Sequence, residues 1–267
     1  MSKAALVLTM ALSLAACSSG MFAPVTVNKT AEEVVDSRTP TAPRDARTRA
    51  KLHTELGALY LQNGNMSVAL EELTYAITLD GSYAKAYGAR GLTLYYINEI
   101  QLADRDFRQA MSLDSNDPEI NNNYGWYLCQ IGREKEGLAL FQRVIRNSLY
   151  ETPDKAYANA GACYIKIGDL ALAEGMLQHS LNLMPDNVQA RQHMAAILYR
   201  RGELDAALQQ LMEVVNKAEP GAEVLWLLVR IERKLGNRLA EARYSSQLRR
   251  KFPLSPEAQD LLKGHFE

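Results

Sequence analysis

Residues 121–129 read Asn-Asn-Asn-Tyr-Gly-Trp-Tyr-Leu-Cys, and the glycine in this stretch belongs to a series that recurs along the chain. The members of the series are separated by 34, 34, 36, 34 and 34 residues: Gly57, Gly91, Gly125, Gly161, Ala195 and Val229. Self-similarity at a fixed period of roughly 20 to 50 residues is the signature of a repeat array. The stretch therefore predicts an array of similar units rather than a single globular core.

Two further series keep the same steps. One is Gly64, Asn98, Gly132, Gly168, Gly202 and Gly236. The other is Ala69, Ala103, Gly137, Ala173 and Ala207. Small residues are expected where two helices of a unit cross closely. A glycine or asparagine is expected where a helix ends in a left-handed conformation.

A 34-residue period with these small residues resembles the tetratricopeptide repeat, in which each unit is a pair of antiparallel helices. The resemblance implies an all-α fold, a right-handed superhelical solenoid of about six helix-pair units. We place these units at residues 50–83, 84–117, 118–153, 154–187, 188–221 and 222–256, with a C-terminal segment at 257–267. The sixth unit departs most from the pattern, as terminal repeats often do because one of their faces meets solvent.

The N-terminal residues are expected to direct export. A lysine precedes an apolar run at 4–14, which is too short to span a bilayer but suits a signal peptide at residues 1–16. Residues 14–17, Leu-Ala-Ala-Cys, resemble the bacterial lipobox, which implies acylation of Cys17, and Ser18 after it implies sorting to the outer membrane. The alternative is an ordinary secretory signal with a chance cysteine. The proline-containing residues 17–49 are expected to form a lipidated, flexible tether.

The composition and motifs argue against several function classes. The formal net charge is −1, so there is no global basic field to attract nucleic acid. The four histidines show no metal-ligand spacing, and no nucleophile elbow or phosphate loop is present. We therefore expect no catalytic residue, metal, cofactor or small-molecule substrate, and no enzymatic activity. Cys129 and Cys163 are expected to be free buried thiols, or else a disulfide, since the periplasm is oxidising.

In arrays of this kind, positions 2, 5, 9, 12 and 13 of each unit face the concave side. This rule predicts a partner-binding groove that includes Leu92, Tyr95, Tyr96, Asn122, Trp126, Gln130, Lys166, Tyr199 and Arg200. The groove is expected to be aromatic across units two and three, and basic at its far end, where Arg230 and Arg233 join it. Such a surface suits a peptide with apolar side chains and some acidic character. The alternative is that the tether or the curvature of the array covers the aromatic patch.

Two local features carry a closer resemblance. They are residues 121–129 and the two-residue insertion in Asn-Ser-Leu-Tyr-Glu-Thr-Pro at 147–153, which precedes Ala-Tyr-Ala-Asn-Ala-Gly at 156–161. With the lipobox, tether and six repeats, they resemble the PilW/PilF family of type IV pilus biogenesis and stability lipoproteins.

The resemblance implies a pilotin that is anchored in the outer membrane by its lipid and faces the periplasm. Its partner would be the pilus secretin, whose outer-membrane localisation and multimerisation it would promote. The competing interpretation is an outer-membrane repeat lipoprotein that scaffolds envelope or peptidoglycan-enzyme complexes.

Overall fold

The computed structural model describes residues 45–148 and 150–266, in which thirteen α-helices and no strand are found. Their bounds are α1 Ala46–Gln62, α2 Met66–Leu79, α3 Ala84–Tyr96, α4 Ile100–Leu113, α5 Pro118–Gln130, α6 Glu134–Ile145, α7 Pro153–Ile167, α8 Leu170–Leu183, α9 Val188–Arg201, α10 Leu204–Lys217, α11 Ala222–Leu235, α12 Arg238–Lys251 and α13 Pro256–Lys263. Over these residues, no helix has both the length and the apolarity needed to cross a bilayer. The signal peptide, the acylated Cys17 and the tether up to residue 44 were predicted for residues outside the described ranges.

The helices form two layers. Each odd-numbered helix from α1 to α11 packs against the even-numbered helix that follows it, which gives six pairs. Each of these odd-numbered helices also contacts the next odd-numbered one, whereas no two even-numbered helices of the described residues share such an interface. The odd-numbered helices therefore form the inner layer. The prediction of an all-α array of six helix pairs is confirmed.

The first helix begins earlier than predicted. The carboxylate of Asp45 accepts hydrogen bonds from the backbone N–H groups of Arg47, at 3.2 Å, and Thr48, at 2.8 Å. Such a cap satisfies donors that the first turn of a helix leaves unpaired, so α1 starts at Ala46. Residues 46–49, which we predicted to belong to the tether, are helical.

The residues of the second glycine series end the inner helices. All six have positive φ angles between 65° and 90°: Gly64, Asn98, Gly132, Gly168, Gly202 and Gly236. Asn98 is the sole non-glycine residue of the described ranges in this conformation. Asparagine tolerates the left-handed region better than most residues with a side chain. The prediction from the spacing is confirmed.

The small residues of the other two series lie where paired helices approach each other most closely. A Cβ atom added to Gly125 on α5 would lie 2.9 Å from a ring carbon of Phe141 and 3.0 Å from the carbonyl oxygen of Gly137 on α6. A Cβ atom added to Gly137 would lie 2.5 Å from the carbonyl oxygen of Gly125 and 2.6 Å from Sγ of Cys129. Neither glycine can be enlarged without moving one helix away from the other.

Unit six is buried despite its irregular sequence. Residues 224–229 of α11 are all buried, as are Ile231 and Glu232. This helix packs against α12 on one side and against the additional helix α13 on another. The sixth unit therefore has its own cover, supplied by the end of the chain.

The crossing of α5 and α6 can be tested with two glycine-to-alanine substitutions. Gly137→Ala should lower the free energy of unfolding by about 1–3 kcal/mol, because the new methyl group overlaps backbone and sulfur atoms. Gly175→Ala is the matched control in α8, where an added Cβ atom meets nothing within 4 Å. It should raise stability by up to about 1 kcal/mol through helix propensity. Urea unfolding followed by circular dichroism measures both, and equal shifts for the two variants would contradict the close crossing.

Candidate binding groove on the inner face

A cavity of about 590 Å³ lies on the inner layer of units one to three and reaches the start of unit four. Eight of the residues that line it occupy inward positions predicted from the repeat: Ala58, Leu61, Gln62, Lys85, Leu92, Glu119, Asn122 and Lys155. They come from α1, α3, α5 and the start of α7. A second cavity of about 140 Å³ continues along the same helices and shares Ala58, Lys85 and Glu119 with the first. The inward positions predicted from the repeat therefore line a cavity in the structure.

The two-residue insertion also forms part of this cavity. Tyr150, Glu151 and Thr152 lie between the end of α6 and the start of α7, and all three line the cavity. Burial raises the pKa of the Tyr150 hydroxyl, so this group stays a neutral hydrogen-bonding group at physiological pH. The repeat positions did not predict these residues, because the rule covers helices only. The single step of 36 residues was the available signal.

Two charged groups of the cavity, those of Lys85 and Glu119, are paired with each other. Nζ of Lys85 lies 2.9 Å from Oε2 of Glu119 and 3.5 Å from Oδ2 of Asp117. Burial alone would lower the pKa of Lys85, but its hydrogen bond to Glu119 and the two negative charges raise it. The lysine is therefore a permanent cation, held between the carboxylates of Asp117, the last residue of unit two, and Glu119 of unit three.

Three of the predicted aromatic residues form one cluster. The rings of Tyr95 and Trp126 meet edge to face, with centroids 5.1 Å apart, and the ring of Tyr96 lies 5.7 Å from Trp126. Tyr96 is 53% exposed, whereas Trp126 is partly buried between two hydrophobic clusters. Exposed aromatic rings held by other rings are typical anchors for a binding partner. Tyr96 is the most accessible of the three.

The aromatic cluster continues the surface of the larger cavity. Tyr96 lies four residues after Leu92 on α3, and Trp126 lies four residues after Asn122 on α5. Residues four positions apart share one face of a helix. Leu92 and Asn122 line the cavity, so the cluster extends the same inner surface toward the C-terminal ends of both helices. We call this combined surface of units one to three the groove.

Gln130 and Lys166, also predicted for the groove, are bonded to each other. Nζ of Lys166 donates to Oε1 of Gln130 at 2.7 Å and to the carbonyl oxygen of Cys129 at 3.3 Å. The lysine thus neutralises the negative end of α5. Its exposed ammonium group also adds positive charge beside the aromatic cluster.

Asn122, which was predicted for the groove, lines the cavity but is largely buried. The residue is only 6% exposed. Its Oδ1 accepts a hydrogen bond from Nδ2 of Asn159 at 3.0 Å, and Oδ1 of Asn159 accepts one from Nε2 of Gln189 at 3.0 Å. These amides join three successive inner helices, α5, α7 and α9. Asn122 therefore supports the inner layer and presents little of its surface to a partner.

Tyr199, which was also predicted for the groove, is largely buried as well. It is 6% exposed, because Arg230 and Lys234 of the next unit lie over its ring, at 4.5 Å and 4.3 Å from the centroid. Both distances suit cation–π contacts. Arg200, the next residue in the sequence and also predicted for the groove, is exposed. Much of the expected basic end is thus engaged with the protein itself.

Cys129 and Cys163 form a disulfide, one of the two possibilities that the sequence left open. Their Cα atoms are 5.7 Å apart, and the two residues are 2% and 1% exposed. The bond ties α5 to α7, and Trp126 packs against the cluster that contains it. Trp126 is therefore held from both sides, by Tyr95 and by the disulfide cluster. Within residues 45–148 and 150–266, no three His, Cys, Asp or Glu side chains converge on a possible metal position.

Comparison with known proteins identifies relatives over nearly the whole chain, although no protein-family model matches it. The type IV pilus assembly protein PilF of Pseudomonas aeruginosa is 29% identical over 259 residues, which cover 97% of both chains. The crystal structure of PilW, a widely conserved type IV pilus biogenesis factor, has 32% identity and a TM-score of 0.65, covering 80% of this chain and 98% of its own.

Two further structures agree with these relatives. The structure of P. aeruginosa PilF has 27% identity and a TM-score of 0.64, covering 82% of this chain and 99% of its own. A tetratricopeptide repeat protein from Parabacteroides merdae has 17% identity and a TM-score of 0.63, covering 80% of this chain and 83% of its own, and shows the fold alone. The predicted tetratricopeptide-repeat solenoid is confirmed.

The disulfide should contribute substantially to stability. Closing a loop between positions 34 residues apart restricts the unfolded chain, and the chain-entropy model gives about 3–4 kcal/mol for such a loop. Adding a reductant should therefore lower the urea midpoint of the wild type. A Cys129→Ala/Cys163→Ala variant is the control, and its lower midpoint should not respond to reductant. An unchanged wild-type midpoint after reduction, verified by thiol titration, would contradict this role.

Proposed function

The chain belongs to the PilW/PilF family of type IV pilus biogenesis factors, and on this premise we propose that it assists pilus assembly by binding a segment of the pilus secretin in the groove. The observation that carries the proposal is the extent of the relationship, which reaches 97% of both this chain and P. aeruginosa PilF. A family resemblance that covers every repeat supports a shared role more strongly than a shared repeat alone.

The groove supports a role in binding an extended peptide. Its cavity of about 590 Å³ is of the size that takes several side chains, and helices that pack against one another form most of its wall. Because these walls are already formed, the protein loses little conformational entropy when a segment binds. Tyr96 offers an exposed aromatic anchor, Lys155 offers positive charge in the cavity, and Lys166 offers positive charge beside Gln130. A segment with apolar and acidic side chains would suit this surface.

We further propose that an acylated Cys17 holds the protein at the outer membrane, on the periplasmic side. Several acyl chains together give stable membrane attachment where one does not. Confinement to a membrane raises the effective concentration of the groove for secretin subunits that must assemble there. In this proposal the protein acts by capture and placement, and no catalytic step is required of it.

The groove proposal is tested by Tyr96→Ala. The side chain is 53% exposed, so its removal should leave helical content unchanged while weakening the binding of the periplasmic region of the secretin by about tenfold or more. Leu172→Ala is the matched control, because this residue is 45% exposed on the outer helix α8. Binding is measured by titration with the purified secretin region, and secretin multimers are counted in membranes of cells that carry each variant.

Two results would contradict the proposal. Undiminished binding and multimers with Tyr96→Ala would remove the groove as the site. Normal multimers in cells that lack the protein, together with a cell-wall defect, would favour a scaffold for envelope or peptidoglycan-enzyme complexes instead.

A further inference from the structure

The inner face of unit six differs from the groove because the end of the chain lies on it. Helix α13 ends at Gly264, whose φ angle of 74° reverses the direction of the backbone. The N–H of His265 then donates to the carbonyl oxygen of Asp260 at 2.9 Å, which completes the helix end. This turn brings Phe266 onto α11.

Three residues of α11 hold Phe266. Its ring lies 5.4 Å from the ring of Trp226, and the guanidinium carbon of Arg233 lies 3.9 Å from the centroid of the Phe266 ring. Nε of Arg230 donates to the backbone carbonyl oxygen of Phe266 at 3.1 Å. The phenylalanine is therefore contacted on its ring and on its backbone.

These three residues occupy positions that face a ligand in this type of array. Trp226, Arg230 and Arg233 are at positions 5, 9 and 12 of unit six, counted from Ala222. The same positions line the larger cavity in units one to three, for example at Ala58, Leu61 and Leu92. In unit six the corresponding surface is occupied by Phe266 of the same chain.

The contacts to Phe266 use features that any extended peptide could supply. They are one aromatic ring and one backbone carbonyl group, recognised by an aromatic ring and two guanidinium groups. Aromatic and cation–π contacts contribute modestly each, so the terminal residues can leave without unfolding the array.

We propose that the inner face of unit six is a binding site for an aromatic side chain of an extended peptide segment, and that Phe266 fills this site in the isolated chain. The two guanidinium groups at the site favour an acidic residue beside the aromatic one, and Glu267 follows Phe266 in the sequence. A partner segment would replace the chain's own end by competition. The proposal does not depend on the pilus role.

Competition between Phe266 and an added peptide determines how tightly the peptide is expected to bind. A ligand on a short connection acts at an effective concentration on the order of millimolar. A peptide added in trans should therefore bind the wild type weakly, and should bind far better once Phe266 no longer occupies the site.

The test uses a fluorescein-labelled peptide with the sequence of residues 259–267 and the full-length protein. Fluorescence anisotropy should show at least about tenfold tighter binding to Phe266→Ala than to the wild type. The same peptide with alanine in place of the phenylalanine should not bind either protein. Adding Arg233→Ala to the Phe266→Ala protein should weaken binding again, whereas Arg249→Ala, on the exposed face of α12, should not.

A second measurement uses the unaltered fold. Phenylalanine labelled with fluorine at position 266 of the wild type reports by NMR whether its ring is held or free. Excess aromatic peptide should move this resonance toward that of the free C-terminal peptide, and the alanine peptide should not. Equal, weak binding to Phe266→Ala and wild type, or no displacement in the NMR experiment, would overturn the proposal and leave the segment as a structural cap.

Discussion

The close approach of α5 and α6 at Gly125 and Gly137 is the constraint on which the middle of the structure depends. Because neither glycine carries a side chain, the two helices come near enough for Phe141 to cover one and for Cys129 to pack against the other. Cys129, whose Sγ would lie 2.6 Å from a Cβ atom on Gly137, forms the disulfide that joins α5 to α7. Trp126 packs between the disulfide cluster and Tyr95, so the position of the aromatic cluster follows from the backbone contact.

The inner layer of helices has a different role in different units. In units one to three it leaves an open concavity, which residues 150–152 of the segment with the insertion also line. In the middle units it is tied together by the amides of Asn122, Asn159 and Gln189, which take part in hydrogen bonds across three helices. In unit six it holds the chain's own Phe266. The same helix pair, repeated along the chain, thus provides an open binding surface in units one to three, a rigid connection in the middle units and a site occupied by Phe266 in unit six.

The parts of this arrangement that follow from a period could be predicted from the sequence. The small residues at the crossings, the helix ends with positive φ and the inward positions all recur, so each unit supports the prediction for the next. The period does not predict how exposed each inward side chain is, because residues from other units decide this. Asn122 and Tyr199 do occupy inward positions, but Asn159, Arg230 and Lys234 cover them. The insertion and Phe266 do not recur along the chain, so the period predicts neither of them. Phe266 contacts Arg230, which lies 36 residues earlier in the sequence.

The central claim, that a partner binds the open inner face of units one to three, is tested most directly by photo-crosslinking in cells. A photoreactive phenylalanine analogue at position 96 would report on the groove, and the same analogue at position 172 would report on the outer surface of α8. The account predicts a crosslink to the secretin from position 96 and none from position 172. Secretin crosslinks from position 172 alone, or none from either position, would contradict it.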